Sequence, residues 1–168
     1  MKKTALAVAI ILVASAVNPV SAKTLGEEQR GLISTSCPSL KLQLERIQKD
    51  DARNRVHLGA QYESIATNLM MNLNLRLIKN SLASAELAEQ QSTFMSERDR
   101  FKNDYIGYSQ ELENLISIDC KSEPDKFYTQ LKKTRTKRED VDKSVKRMNE
   151  ILGRHRQSIL SLQEELEK

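Results

Sequence analysis

Two histidines, two cysteines and one basic run are the side chains of this sequence that could do chemistry. His57 and His155 are the only histidines. Either could bind a metal ion or respond to pH, because imidazole is a common metal ligand and titrates near neutral pH. Neither has partners at the spacing of a metal motif. His155 also falls at an apolar repeat position, where a polar layer fixing helix register is the alternative interpretation.

Catalytic motifs are absent from the sequence. It contains no nucleophile elbow, no Gly-rich phosphate loop and no zinc-protease motif. A narrow helical bundle also seldom encloses the deep polar pocket that an enzyme needs. We therefore expect no enzymatic activity, no catalytic residue, no cofactor and no metal site.

A basic run between residues 126 and 138 contains no acidic residue. Its members are Lys126, Lys132, Lys133, Arg135, Lys137 and Arg138. Such a run can dock to lipid headgroups, an envelope polymer or an acidic protein face. It can equally be a solvated helix face, since acidic residues return from Glu139 onward. We do not expect nucleic acid as a partner, because aromatic residues are not interleaved through the run.

The element that carries this run has a heptad pattern from Phe127 to Leu166. Its positions alternate in steps of four and three: Phe127, Leu131, Thr134, Arg138, Val141, Val145, Met148, Leu152, His155, Ile159, Leu162 and Leu166. Nine of these twelve positions are apolar. The pattern predicts a long helix over residues 124–167 with one apolar stripe, which the rest of the chain must cover.

Two further helices are predicted upstream, over residues 38–80 and 84–118. The first has Pro38 in its first turn and an apolar series that lapses between Gln48 and Arg55: Leu40, Leu44, Ile47, then Leu58, Tyr62, Ile65, Leu69, Leu73 and Leu77. The second repeats at exact sevens: Leu87, Phe94, Phe101, Tyr108 and Leu115. The break between them rests on Asn80, Ser81 and Ser84, and one continuous helix is the alternative.

The N-terminus reads as an export signal. Lys2 and Lys3 precede an apolar stretch, and small residues end at Ala22, so residues 1–22 predict a cleaved signal peptide. Residues 23–37 lack a period and predict a flexible leader. Export places the protein outside the cytoplasm, in the periplasm, at the cell surface or in the medium. The signal removes two of the 27 basic residues and none of the 23 acidic ones, which leaves a mature charge of +2.

Three helices of similar length with short connections predict an all-α fold, an elongated antiparallel three-helix bundle over residues 38–168. Cys37 precedes the first helix and Cys120 follows the second, so both lie at the same end. An even cysteine count in an exported protein favours a disulfide between them. It would clamp one end of the bundle.

Folding the chain at its two turns also aligns two polar interruptions. Arg138 of the last helix comes level with about residue 107 of the second and about residue 50 of the first. Asp50 and Asp51 break the apolar series of the first helix there. We therefore predict that Arg138 faces inward and forms a buried pair with Asp51, or with Asp50 after a slip of one residue.

Local patterns resemble two groups of proteins. Asp51-Ala52-Arg53, Leu58-Gly59-x-x-Tyr62, Cys120-x-x-x-Pro124-x-x-Phe127-Tyr128 and Arg135-x-x-Arg138 resemble functionally unassigned exported coiled-coil proteins of ultra-small, symbiont-type bacteria. The resemblance implies an exported helical fold and transfers no site residue. Size, export and long helices also resemble periplasmic chaperones of the Skp/OmpH type, although this sequence lacks the strands of their trimerisation body.

The sequence therefore favours an exported coiled-coil protein of the cell envelope that acts by binding or spacing, not by catalysis. A periplasmic holdase-type chaperone is the alternative. The partner is expected to be a protein or an anionic envelope component. Peripheral membrane contact and self-association are further expectations.

Overall fold

A computed structural model describes residues 25–167, and the predicted signal peptide lies outside them. The described chain forms α1 (Glu27–Ser64), a π-helical segment (Ile65–Met71), α2 (Asn72–Lys79), α3 (Ala85–Ser117) and α4 (Pro124–Leu166). No strand occurs among these residues. α1, the π segment and α2 run on without a break, and we call them the first rod helix. Its 53 residues span about 80 Å at about 1.5 Å per residue.

The predicted all-α three-helix architecture is confirmed. Arg30 near the start of α1 pairs with Asp125 at the start of α4, so these two helices run parallel. Asn74 of α2 reaches the first turns of α3, which therefore runs antiparallel to both. The disulfide lies at one end of the rod, and the α2–α3 turn lies at the other.

The flexible leader predicted for residues 23–37 is wrong from residue 27 onward, because α1 begins at Glu27. The first turns of α1 are held by tertiary contacts, and the sequence there shows no apolar periodicity that would predict them. Leu25 is buried, and the Ser34 hydroxyl donates to the carbonyl of Lys121 at 3.1 Å. Pro38 consequently lies inside α1 and not in its first turn. A proline there removes one helix hydrogen bond, and the neighbouring bridge at Cys37 holds the chain in place.

The predicted break before α3 is confirmed, and the alternative of one continuous helix is wrong. Ser81 has a φ of 60°, the left-handed conformation that ends a helix. The amide of Leu82 then donates back to the carbonyl of Leu77 at 2.8 Å. Ser84 caps α3, since its hydroxyl accepts from the amide of Leu87 at 3.3 Å. Pro124 occupies the first turn of α4, as predicted.

The three helices do not share the core equally. α3 and α4 pack closely along their length, whereas α1 lies farther from α4. Between Cys37 and Tyr62, no α1 residue is fully buried. α1 is thus fully buried only near its ends, and its middle is held by half-buried apolar side chains such as Leu40, Leu44 and Ile47 together with polar contacts.

This unequal packing corrects the predicted seam of α4. The buried residues of α4 are Phe127, Thr134, Ser144, Met148, Ile151 and His155. Ser144 and Ile151 each lie one residue before a predicted seam position, Val145 and Leu152, which are only half-buried. The earlier position faces the close neighbour α3, and the later one faces the more distant first rod helix, at α1 for Val145 and at the π segment and α2 for Leu152. α4 therefore has two neighbouring seams, one towards α3 and one towards the first rod helix. The second is only partly buried.

The π segment corrects the predicted apolar series of the first rod helix. The buried positions there are Tyr62, Ala66, Met70, Asn74 and Leu77, mostly in steps of four. In a regular α-helix, residues spaced by four rotate gradually away from one face. The wider π turn keeps these buried residues on the same face. Leu69, predicted to face the core, is 63% exposed as a result.

Candidate functional site

The disulfide end is a dense anchor. Cys37 and Cys120 are bridged as predicted, with their Cα atoms 5.5 Å apart, and both are buried. Phe127, Leu115 and Ile118 pack around them in one apolar cluster. The bridge fixes α1 to the segment between α3 and α4.

A polar layer joins all three helices in the middle of the rod. Asp51 accepts a hydrogen bond from the Tyr108 hydroxyl at 2.6 Å and pairs with Arg138 at 3.3 Å. The predicted Arg138–Asp51 pair is therefore present, and Asp50 is not its acidic partner. The prediction that the pair is buried is wrong for the arginine. The side chain of Arg138 is 50% exposed, while that of Asp51 is 18% exposed. The gap between α1 and α4 leaves that arginine in contact with water.

Tyr108 is the third member of this layer, and it was not predicted from the sequence. Its position in the aromatic repeat of α3 indicated core packing only. Folding the chain at its two turns had nevertheless placed the neighbouring residue 107 level with Arg138. Burial, followed by the hydrogen bond to Asp51, raises the pKa of Tyr108 well above its ordinary value. The phenol thus stays protonated and donates to the carboxylate.

A second polar layer between α3 and α4 was also missed. The Ser144 hydroxyl donates to Asp104 at 2.5 Å, and Arg147 bridges Ser144 at 2.9 Å and Glu97 at 2.7 Å. Ser144 is completely buried. The four residues satisfy one another, which makes this layer a specific alignment device between α3 and α4.

His155 lies in a third polar layer. Its Nδ1 is 3.1 Å from the Gln90 side-chain oxygen, and Gln90 also donates to Ser158 at 2.9 Å. Burial lowers the pKa of His155. His57 is exposed and contacts Gln61 of the same helix at 3.2 Å. Within residues 25–167, no cluster of three His, Cys, Asp or Glu side chains could hold a metal ion.

Three of the six basic residues in the basic run pair with acidic residues, and the other three do not. Lys126 pairs with Glu123 at 3.1 Å and Lys133 pairs with Glu111 at 2.8 Å, while Arg138 pairs with Asp51. Hydrogen bonds from Lys133 and Gln130 lower the pKa of Glu111. Lys132 lies 4.3 Å from the ring centre of Tyr128. Among the described residues, Lys132, Arg135 and Lys137 have no acidic partner within ion-pair distance.

An open groove follows the incomplete seam between α1 and α4. Two adjoining cavities of about 270 and 260 Å³ share Tyr108 and Arg138 in their walls. The first is mainly apolar, lined by Leu40, Leu44, Ile47, Phe127 and Leu131 among others. The groove is therefore apolar towards the disulfide end and polar at the Asp51 layer.

The end opposite the disulfide exposes several large apolar side chains, and we call them together the apolar tip. Its members are Leu69, Met71, Leu75, Ile78, Leu82 and Leu160. Leu75 and Ile78 are 57% and 62% exposed. α2 also buries Leu77 on its inner side, so it is apolar on several sides. A helix of that kind is normally covered by other protein or by lipid.

No protein-family model, curated protein or solved structure matches the chain. Within the described part of the chain, no helix combines the length and the apolar character required to cross a membrane.

Proposed function

We propose that this protein is an exported helical rod that binds a partner at the cell envelope through its apolar tip. The apolar tip is the single observation that carries the proposal. Leu69 and Leu160 line one groove at this end of the rod, while Leu75 and Ile78 are exposed on another side, and apolar surface concentrated in this way often marks a binding site. Spacing is the mechanical part of the proposal, since a rod of about 80 Å separates whatever its two ends contact.

The disulfide and the predicted signal peptide support an extracytoplasmic location. Disulfides form and persist mainly in oxidising compartments, so the buried bridge that anchors the first rod helix supports this location. Polar layers at Asp51, Ser144 and His155 fix the alignment of the helices, so the rod presents its tip in a defined orientation. Binding by a preorganised surface avoids the entropy cost of ordering it.

Export and tip-dependent retention test the proposal together. The full chain, expressed in an export-competent cell, should yield an oxidised mature protein beginning at Lys23 that fractionates with the envelope. Leu75→Lys combined with Ile78→Lys should release it into the soluble extracytoplasmic fraction. Val56→Lys is the matched control, because Val56 is 66% exposed but lies on α1 outside the tip. Equal retention of all three proteins would contradict a binding role for the tip.

A holdase-type chaperone is the second candidate, and the open groove between α1 and α4 favours it. A loosely held α1 above an apolar groove could admit an extended apolar segment of an unfolded client. A holdase should suppress aggregation of a reduced, unfolded client at near-stoichiometric ratio. Suppression that survives the two tip substitutions would favour this candidate over the first.

A further inference from the structure

The first of the two cavities between α1 and α4 has walls on three sides. α1 and α4 supply its apolar side walls, and side chains of α3 such as Leu112 lie on its floor. α1 and α4 run parallel, and the Asp51–Arg138 pair sets residues that differ by 87 in number at about the same level. Phe127 is therefore about level with Leu40, at the end nearer the disulfide, and Arg138 lies at the other end.

The end of this cavity away from the disulfide is cationic. Arg135 and Arg138 line it, and residues three apart on a helix are neighbours on its surface. Arg135 is exposed and has no acidic partner within residues 25–167. A guanidinium carries several N–H donors, and one nitrogen of Arg138 is bonded to Asp51. Of the described residues, no acidic one lines the first cavity, whereas Asp51 and Asp142 both line the second. An apolar cavity with a cationic end complements an amphipathic anion.

We propose that the first cavity binds a fatty-acid carboxylate, with the carboxylate on Arg135 and Arg138 and the alkyl chain directed towards the disulfide end. The planar guanidinium suits this head group, because two of its N–H donors match the two carboxylate oxygens. The apolar wall extends over eight residues from Arg135 to Phe127, or about 12 Å, which suits a single chain of medium length. The inference does not involve the apolar tip, so it goes beyond the proposed function and does not depend on it.

The walls of the cavity favour an alkyl chain over a peptide. The Tyr108 hydroxyl donates to Asp51, and the Thr134 hydroxyl donates to the carbonyl of Glu111 at 3.0 Å. The backbone groups of the wall helices are bonded within those helices. A peptide in the cavity would therefore lose hydrogen bonds to water and find few replacements, whereas an alkyl chain has none to lose. The volume of about 270 Å³ is just below the usual range of ligand sites, about 300–1,000 Å³, which favours one chain over the two of a membrane lipid.

Isothermal titration calorimetry of the oxidised mature protein with dodecanoate tests the site. We expect saturation at one dodecanoate per chain, a dissociation constant in the micromolar range and a negative heat-capacity change, which marks the burial of apolar surface. The variant Leu75→Lys, Ile78→Lys should bind dodecanoate equally well, because the cavity lies away from the apolar tip. This comparison separates binding in the cavity from adsorption at the tip.

Substitution of Arg135 tests the head group. Arg135→Gln should weaken decanoate binding about threefold to tenfold, because it removes a charge-assisted contact at a partly exposed site. Binding of decanol, which has a chain of the same length without a charge, should be unchanged by this substitution. Lys137→Gln is the matched control, since Lys137 is also exposed but does not line the cavity. It removes the same charge and should leave the affinity for decanoate unchanged.

Chain length and a filled apolar end test the position of the tail. Each methylene added from octanoate to dodecanoate should tighten binding about threefold to fourfold. Leu40→Phe narrows the end nearer the disulfide and should weaken dodecanoate binding more than octanoate binding. Leu42→Phe is the matched control, because Leu42 is 53% exposed and does not line the cavity. Circular dichroism should show that both variants keep their helix content.

Three results would overturn the inference. They are dodecanoate binding that does not saturate at one site, equal losses of decanoate and decanol affinity in Arg135→Gln, and loss of binding on substitution of the tip. Tighter binding of a dodecanoyl lysophospholipid than of dodecanoate would assign the cavity to a lysolipid and contradict a free carboxylate. Tighter binding of an unfolded client there would favour the holdase candidate instead. Envelope retention of Arg135→Gln should match that of the original protein, so the proposed function stands or fails by the tip alone.

Discussion

Asp51 shows at the scale of single residues how a polar group can align three helices. It is mostly buried and accepts from a buried phenol and a half-exposed guanidinium. The two partners should not contribute equally, since water screens an ion pair that is half exposed. A hydrogen bond to a buried carboxylate keeps more of its strength.

Tyr108→Phe should therefore cost more stability than Arg138→Leu. We expect a loss of about 1.5–3 kcal/mol for the first, the range for hydrogen bonds to charged groups. We expect about 1 kcal/mol or less for the second. Urea unfolding monitored by circular dichroism measures both. A larger loss for Arg138→Leu would show that the ion pair, and not the phenol, organises the layer.

His155 predicts a pH dependence of stability. Burial lowers its pKa in the folded protein below the ordinary value of 6.5, so the unfolded chain binds the proton more readily. The contribution of His155 is therefore fully present above pH 6.5 and is lost as the pH falls towards the folded pKa.

Unfolding titrations between neutral and mildly acidic pH measure this effect. His155→Gln, which keeps a polar side chain beside Gln90, should reduce the loss of stability on acidification. His57→Gln is the matched control, because His57 is exposed. Identical pH profiles for all three proteins would show that His155 does not destabilise the fold when protonated.

At the scale of helices, the basic run of α4 has fewer unpaired cations than its sequence suggested. Three of its six cations have acidic partners. If the run binds an anionic surface, Lys132, Arg135 and Lys137 should provide most of the attraction. Replacing these three with Gln should weaken binding to anionic vesicles and reduce its salt dependence.

The matched control replaces Lys126 and Lys133, which are already paired, with Gln. It should lower vesicle binding less per charge removed. Equal binding by the original protein and by the triple variant at low salt would indicate that the run is only a solvated helix face.

Most helix boundaries were predictable because periodicity and breakers are local signals. The heptad of α4, the aromatic repeat of α3 and the break near Ser81 all follow from neighbouring residues. The start of α1 depends instead on the contact of Ser34 with Lys121, 87 residues away. The π segment is equally nonlocal, since burying Met70 and Asn74 together depends on how α3 packs against them.

The candidate site was predictable only in part for the same reason. Opposite charges at the same level revealed Asp51 and Arg138, whereas Tyr108 and Ser144 had no charge to mark them. The exposure of Leu75 and Ile78 was not predicted from the sequence, because these residues interleave with a second apolar series that includes Leu69 and Leu73.

At the scale of the whole molecule, the rod is anchored unequally along its length. α1 is fully buried only at Cys37 and Tyr62, and between them it is held by half-buried apolar side chains and by the Asp51 layer. Cys37→Ser combined with Cys120→Ser should cost about 2–4 kcal/mol, the usual value of a bridge that closes a long loop.

Hydrogen exchange should localise that loss. Amides of α1 between residues 27 and 47 should exchange faster in the cysteine-free protein, while those of α3 and α4 near Phe94 and Met148 should change little. Uniformly faster exchange along the rod would show that the bridge stabilises the bundle as one unit.

The central claim is that the apolar tip is the binding surface of an exported rod, and cross-linking in the living cell tests it most directly. A photoreactive amino acid at Ile78 should give light-dependent adducts of the mature protein, including one of twice its mass if a second copy binds there. The same group at Val56 should give none. Adducts that are absent at Ile78, or equally abundant at both positions, would contradict the account.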